Sequence, residues 1–258
     1  MRVGVFGAAG RMGRAVCQAV VEAPGLELIA AVDPSGAGRP LPVAPEVVVA
    51  GSVADLRIRP DVAVDFTVRD SAMANLEWCA ANGVHAVVGT TGFSAQDIET
   101  LGRWFAPGGP ANCVVAANFA IGAVLMMRFA ELAAPWFDTA EIIELHHDAK
   151  ADAPSGTAVA TAQRMAAASA EWGADPTRTT VVAGVRGGVG PAGIHLHSVR
   201  LRGLVAHQEV LLGTTGQTLT LRHDSYDRES FMPGVIVAVN AVASRAGLTV
   251  GLDPLLGV

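Results

Sequence analysis

"RVGVFGAAGRMG", residues 2–13, is a short β-rich run that breaks into glycines at 7, 10 and 13. The stretch after it, "RAVCQAVVEAP" at 14–24, has helical period and stops at Pro24-Gly25. A tight glycine turn between a strand and a helix lets backbone N–H groups approach a pyrophosphate at the positive helix end. The spacing is G-x-x-G-x-x-G rather than G-x-G-x-x-G, and such turns also serve plain helix–sheet packing. The second strand, "LELIAAV" at 26–32, adds weight because it ends on Asp33. An acid about twenty residues beyond the turn can accept hydrogen bonds from ribose hydroxyls. Strand, turn, helix and acid together predict dinucleotide binding. A carboxylate there repels a 2′-phosphate and Pro34 supplies no countering cation, so NADH is the preferred cofactor. NADPH stays possible if Arg11, Arg14 or Arg39 folds over the site.

Working outward, "DVAVDFT" at 61–67 reads as a strand, followed by a helix that stops at Asn82-Gly83. "VHAVVGTTG" at 84–92 is a strand running into a turn. Ser94 and Asp97 then form a capping-box pattern for a helix through Phe105. "NCVVAANF" at 112–119 is one more strand. Strands alternating with helices imply an α/β fold with a parallel sheet and right-handed crossovers. The turns Gly89-Thr90-Thr91 and Ala116-Ala117-Asn118-Phe119 follow strands of that sheet. They either border the nicotinamide half of a dinucleotide or are ordinary βα loops.

The rhythm changes near residue 118. An apolar helix to Pro135 leads to the strand "AEIIELHH", then a helix over 157–172, then β-rich runs from 194. The last of these are joined by a Gly213–Gly216 turn, which suggests antiparallel pairing. "RESFMPGVIVAVNAVASRAG" returns to helix. The pattern is an α/β unit with a mixed α+β unit inserted.

Hydrophobic residues make up 51% of the 258 and charged residues 16%, which suits an α/β enzyme and argues against disorder. A net charge of −6 with no basic run gives no footprint for nucleic acid. Cys17, Cys79 and Cys113 are scattered in apolar segments, as buried thiols of a reducing compartment would be. No signal peptide is read before the first strand, and Asn118–Pro135 is too short and too interrupted to span a membrane. The expectation is a cytoplasmic chain with no membrane partner.

"ELHHDAKADAPSGTA", residues 144–158, concentrates the remaining chemistry. Neighbouring strand residues point to opposite faces, so His146 and His147 cannot easily share a metal ion, and no metal site is expected there or at His195/His197. His146 titrates near neutrality and can donate a proton. Lys150 can return to the same pocket and neutralise developing charge. Ser155, Gly156 and Thr157 open a helix whose N–H and hydroxyl donors suit a carboxylate, with Asp152 capping or orienting the turn. The residues equally admit a solvated loop before a well-capped helix.

The run E-L-H-H-x-x-K-x-D-A-P-S-G-T-A resembles the signature of bacterial dihydrodipicolinate reductases. "GAAGRMG", "VVGTTG", "AANFAIGAV" and "GLVAHQEV" fit that family in the same order, over essentially the whole chain. The resemblance implies a Rossmann-type doubly wound parallel sheet, 1–117 with 228–258, and an inserted α+β domain, 118–227, for substrate binding and tetramerisation. It implies an NAD(P)H-dependent reduction of a cyclic dicarboxylate in lysine and diaminopimelate biosynthesis by a homotetramer. His146 matches the catalytic proton donor and Lys150 a second one; His147, Gly156 and Thr157 match substrate-binding positions, beside which the helix-entry reading places Ser155. Gly7, Ala8, Ala9, Gly10, Arg11 and Met12 match cofactor contacts. So do Gly89, Thr90, Thr91, Ala116, Ala117, Asn118 and Phe119, and Asp33 matches the ribose acid. Pro34 departs from members with Arg after the acid. Another two-domain nicotinamide dehydrogenase, or a nicotinamide-binding sensor without catalysis, are the alternatives; a semialdehyde dehydrogenase would need a reactive cysteine.

Overall fold

β1 (Arg2–Phe6) is an interior strand of a parallel sheet, with Val3, Val5 and Phe6 wholly enclosed. Burial on both faces is why its apolar residues do not alternate with polar ones. The computed structural model describes residues 1–169 and 171–258, and the chain divides into two units, 1–121 with 228–258 and 122–227.

In the first unit β1 leads through α1 (Arg11–Glu22) to β2 (Glu27–Val32). A short antiparallel hairpin, β3 (Pro40–Leu41) and β4 (Ala44–Val48), follows β2. The chain then crosses to β5 (Val62–Asp65), α2 (Arg69–Asn82), β6 (His85–Val88), α3 (Ala95–Trp104) and β7 (Cys113–Val115). Gly83 ends α2 in the left-handed conformation at φ 68°, and Ser94 with Asp97 forms the expected capping box on α3.

The sheet order is β13 (Leu248–Val250), β7, β6, β5, β1, β2, all parallel. From β1 the chain moves to β2 on one side and then to β5 on the other. That reversal opens a crevice beyond the carboxyl ends of β1 and β5, where open α/β sheets bind ligands. The doubly wound fold read from the sequence is therefore present. One strand was missed: β13 (Leu248–Val250) closes the sheet beside β7. Three residues between Gly247 and Gly251 are too few to show a period. α6 (Met232–Val242) and the short α7 (Asp253–Leu256) complete this unit.

The second unit contains α4 (Ile121–Ala133, whose first residue falls in the first unit), β8 (Thr139–His146), α5 (Gly156–Ala168), β9 (Gly188–Val189), β10 (His195–Arg200), β11 (Ala206–Thr214) and β12 (Gln217–Ser225). Its sheet is ordered β12-β11-β8-β10-β9. β11 and β12 pair antiparallel across the expected turn, whereas β10 runs parallel to β8. α5 stops at Ala168, four residues short of the expected end, and the Trp172 indole N–H donates to the Ser169 carbonyl at 2.9 Å. Ile142, Val210, Leu212 and Leu196 on one sheet face pack with Ala158, Ala162 and Met165 of α5. By strand alternation Glu144 and His146 share that face with Ile142.

Candidate active site

In the first unit the glycine turn is strapped to the end of β2. The N–H groups of Gly7 and Ala8 donate to the Val32 carbonyl, and that of Ala9 donates to Asp33 Oδ2 at 3.0 Å. Gly7 needs its positive φ of 80°, and a Cβ on Gly13 would stand 2.0 Å from the Gly7 oxygen. Gly10, without a side chain, precedes α1, so no side chain caps the helix. Asp33 does more than the sequence suggested: its Oδ1 accepts from the Ser35 backbone and hydroxyl while its Oδ2 holds Ala9. Burial acts to raise its pKa, but the bonds from Ser35, Ala9 and Gly36 win and lower it, so the carboxylate stays charged.

Gly7, Gly10, Asp33 and Pro34 line a cavity of about 440 Å³. Phe66, Thr67 and Val68, from the turn after β5, line it too. Sequence reading took Phe66 and Thr67 as the end of a strand and missed them as cavity walls. The cavity and a glycine cradle that a Cβ would fill fit a dinucleotide.

The other expected cofactor turns lie at the ends of β6 and β7. A Cβ on Gly89 would fall 2.0 Å from the Phe66 ring, and Phe66 packs on Phe119 with ring centroids 5.8 Å apart. Thr90 is buried and donates its hydroxyl to Asp65, whereas Thr91 and Ala117 are exposed. Asn118 Oδ1 accepts from the Ala120 N–H, and Ala116 donates to the Val88 carbonyl. Ala8, Ala116 and Phe119 are buried, Met12 is half-buried and Arg11 is exposed.

In the second unit His146 is the last residue of β8 and His147, just beyond it, is exposed. Glu144, two residues before His146 on the same face, is fully buried. It lies 2.5 Å from His146 Nδ1 and takes both terminal nitrogens of Arg200 at 2.8 Å. Burial works to raise the Glu144 carboxyl, but Arg200, Ser198 and His146 bring it down to about 2. The His146 imidazole is pushed below its ordinary value, chiefly by burial and further by Lys150 and Arg200, against the pull of Glu144. Lys150 follows in the turn, its ammonium held by both oxygens of Asp152 at 2.8 and 2.9 Å. Asp152 thus holds the lysine rather than the helix. Ser155 is the cap: its hydroxyl oxygen accepts from the Ala158 N–H, and its own N–H donates to Glu144 at 3.1 Å. Gly156 opens α5 with open space where a Cβ would stand, and Thr157 follows it into the first turn.

Neither Glu144 nor Arg200 was singled out from the sequence. The only signal was Glu two residues before His on a strand, and Arg200 enters through pairing of strands 56 residues apart. Arg186 lies elsewhere. It pairs with Glu141 and with Asp175 at 3.3 Å, and Glu141 is roughly 16 Å along β8 from His146 at about 3.3 Å per residue. His195 contacts the Arg186 carbonyl and Asp175, and His197 contacts Glu141. The three cysteines are buried, and burial raises every thiol, that of Cys17 to about 12, which is not the state of a nucleophile. Among the described residues no helix is long and apolar enough to cross a membrane.

Known proteins match over the whole of this arrangement. The family described as "Dihydrodipicolinate reductase, N-terminus" matches residues 1–119, and "Dihydrodipicolinate reductase, C-terminus" matches 122–256. The second match therefore runs on into residues that belong to the first unit. The chain is 51% identical over 262 residues to the 4-hydroxy-tetrahydrodipicolinate reductase of Cutibacterium acnes, covering 100% of this chain and 99% of that protein. It is 51% identical over 259 residues to the same enzyme of Mycobacterium ulcerans, covering 100% of both. A dipicolinate-bound dihydrodipicolinate reductase from Paenisporosarcina sp. TG-14 superposes with a TM-score of 0.89 at 42% identity, covering 98% of each chain.

Proposed function

The chain belongs to the dihydrodipicolinate reductase family and is an NAD(P)H-dependent oxidoreductase of lysine biosynthesis, and from that premise we propose how its residues divide the work. The substrate is the cyclic dicarboxylate 4-hydroxy-tetrahydrodipicolinate and the product tetrahydrodipicolinate, so the overall change adds a hydride and a proton and releases the hydroxyl with a neighbouring ring hydrogen as water. The glycine turn and Asp33 would hold a nicotinamide cofactor, which when bound would supply the hydride. Once water has left, the ring holds a carbon–carbon double bond conjugated with the imine, and a hydride accepted there would displace an electron pair over the conjugated system. His146 delivers the proton that completes the reduction. A depressed pKa makes its imidazolium a ready donor. Lys150 offsets the developing negative charge. His147, the Ser155 hydroxyl and the first turn of α5 at Gly156 and Thr157 grip a substrate carboxylate.

The observation that carries this reading is that His146, Lys150 and the start of α5 occupy one locality within a chain matched end to end by the family. The decisive experiment couples the upstream synthase, pyruvate and aspartate semialdehyde to the chain and follows NADH absorbance. His146→Gln should lower turnover at least about a hundredfold while nucleotide affinity persists. Near-normal turnover would remove His146 as the acid.

NADH is the better cofactor in this reading, because the charged Asp33 borders the cavity and the residue after it is proline. The assembly is a homotetramer built through the second unit's sheet. Ile143, Leu145, Val199 and Leu211 alternate with the core residues and place apolar surface on the face opposite α5. Light scattering on a sizing column tests it: a monomer at micromolar concentration would refute it. Three buried thiols suit a cytoplasmic location.

A further inference from the structure

The most deeply buried charge beside the proposed proton donor is Glu144. Its Oε2 meets His146 Nδ1 and Arg200 Nη1, and its Oε1 meets Arg200 Nη2 and the Ser155 N–H. Every one of these partners but the imidazole can only donate. An ionised carboxylate can only accept, so His146 must carry its hydrogen on Nδ1 to complete the set. Nε2 is then the ring nitrogen left to exchange a proton with a bound molecule. Arg200 also donates to the Asp152 carbonyl at 2.7 Å, so the same guanidinium braces the turn that carries Lys150.

We propose that Glu144, clamped by Arg200, is a positioning residue for the reaction: it sets the tautomer and the ring orientation of His146 and couples them to the first turn of α5. The inference rests on the reading of His146 as the proton donor. The cross-strand register makes the clamp possible. Glu144 lies opposite Ser198 and His146 opposite Arg200, and the arginine reaches back by two residues on the same face. β11 places uncharged Ala206 on the other side of His146. The charged groups around the imidazole are therefore Glu144 on β8, Arg200 on β10, and Lys150 with its partner Asp152 in the turn. Had Glu144 faced His146 alone, it would hold the imidazole permanently protonated and make it a poor donor. Burial first, and then Lys150 and Arg200, offset that pull while leaving the hydrogen bond intact.

Glu144→Gln tests this with His146→Gln alongside. The amide oxygen that satisfies Arg200 turns the NH2 toward His146 Nδ1 and forces the hydrogen to Nε2. Expected are a fall in kcat of about ten- to a hundredfold, a KM and nucleotide Kd within about threefold of wild type, and a limb of the pH–kcat profile displaced to lower pH. The 15N shifts of the His146 ring should report the exchanged tautomer, and Glu144→Asp should restore part of kcat. Wild-type kcat, pH profile and ring shifts in Glu144→Gln, with His146→Gln inactive, would overturn the positioning role and leave the proton-donor reading standing. A near-normal His146→Gln would remove that reading and this inference with it. Should Glu144→Gln fail to fold, Arg200→Lys keeps the charge and loses the fork: a fall in kcat with KM and nucleotide Kd within about threefold of wild type, the His146 ring still protonated on Nδ1, supports the clamp, and an unchanged kcat overturns it.

Discussion

Thr90, in the turn after β6, donates its hydroxyl to Oδ1 of Asp65 at the end of β5, 3.0 Å away, and both residues are buried. The same carboxylate accepts from the Thr67 backbone and hydroxyl at 2.9 and 2.7 Å and from Asn75 at 2.8 Å. One buried acid therefore holds together the turns after two adjacent strands, at the edge where the nucleotide is expected. Asp65→Ala leaves these donors without an acceptor and should destabilise the chain by roughly 3 kcal/mol or more. It should also weaken nucleotide binding. Urea unfolding and a nucleotide titration read both, and a variant that loses neither would show that the turns hold without the acid.

The glycines of the first unit separate into those with room and those without. A Cβ on Gly13 meets the Gly7 backbone at 2.0 Å, and backbone in a turn cannot yield cheaply. Gly102, inside α3, has its nearest neighbour at 4.0 Å. Gly13→Ala should abolish nucleotide binding or folding. Gly102→Ala should stabilise by about 0.5–1 kcal/mol through helix propensity. Melting temperatures with and without nucleotide distinguish the two, and equal behaviour would mean the turn tolerates a side chain.

Cofactor preference follows from a charge that the structure keeps ionised. With Asp33 lowered below the ordinary carboxylate range, a 2′-phosphate would meet a full negative charge at the cavity wall. Steady-state kinetics should give a higher kcat/KM with NADH than with NADPH. Asp33→Ser should narrow the ratio, and because Ala9 and Ser35 lose their acceptor it should lower activity with both. A strong NADPH preference in the wild type would sink the argument.

Acid stability has a sign that can be worked out. The Glu144 carboxyl is near 2 in the folded chain against an ordinary value of 4.5. A depressed carboxylate contributes stability that is whole above its unfolded pKa and is lost as pH falls through the folded one. Stability should therefore decline between pH 4.5 and about 2, as proton uptake weakens the bonds to Arg200 and His146. Denaturant midpoints measured across that window should fall more steeply for wild type than for Glu144→Gln. Parallel curves would assign the acid loss to other carboxylates.

Much of this protein is legible before any coordinates. The strand, glycine turn and helix of residues 2–22 depend on local backbone rules, so they could be read locally, as could the α3 capping box and the stop at Gly83. The run at 144–158 likewise named His146, Lys150 and Ser155 because motif spacing is a property of the chain itself. What escaped reading is non-local. β13 is too short to show a period and exists because β7 offers it an edge. Arg200 becomes a partner of Glu144 only through the parallel register of β10 on β8, and Phe66 to Val68 become cavity walls only beside β1. The sequence by itself determined which chemical groups the chain carries and which local turns present them. The tertiary structure decided which buried charges meet, because desolvation and hydrogen-bond pairing depend on neighbours that sequence distance does not encode.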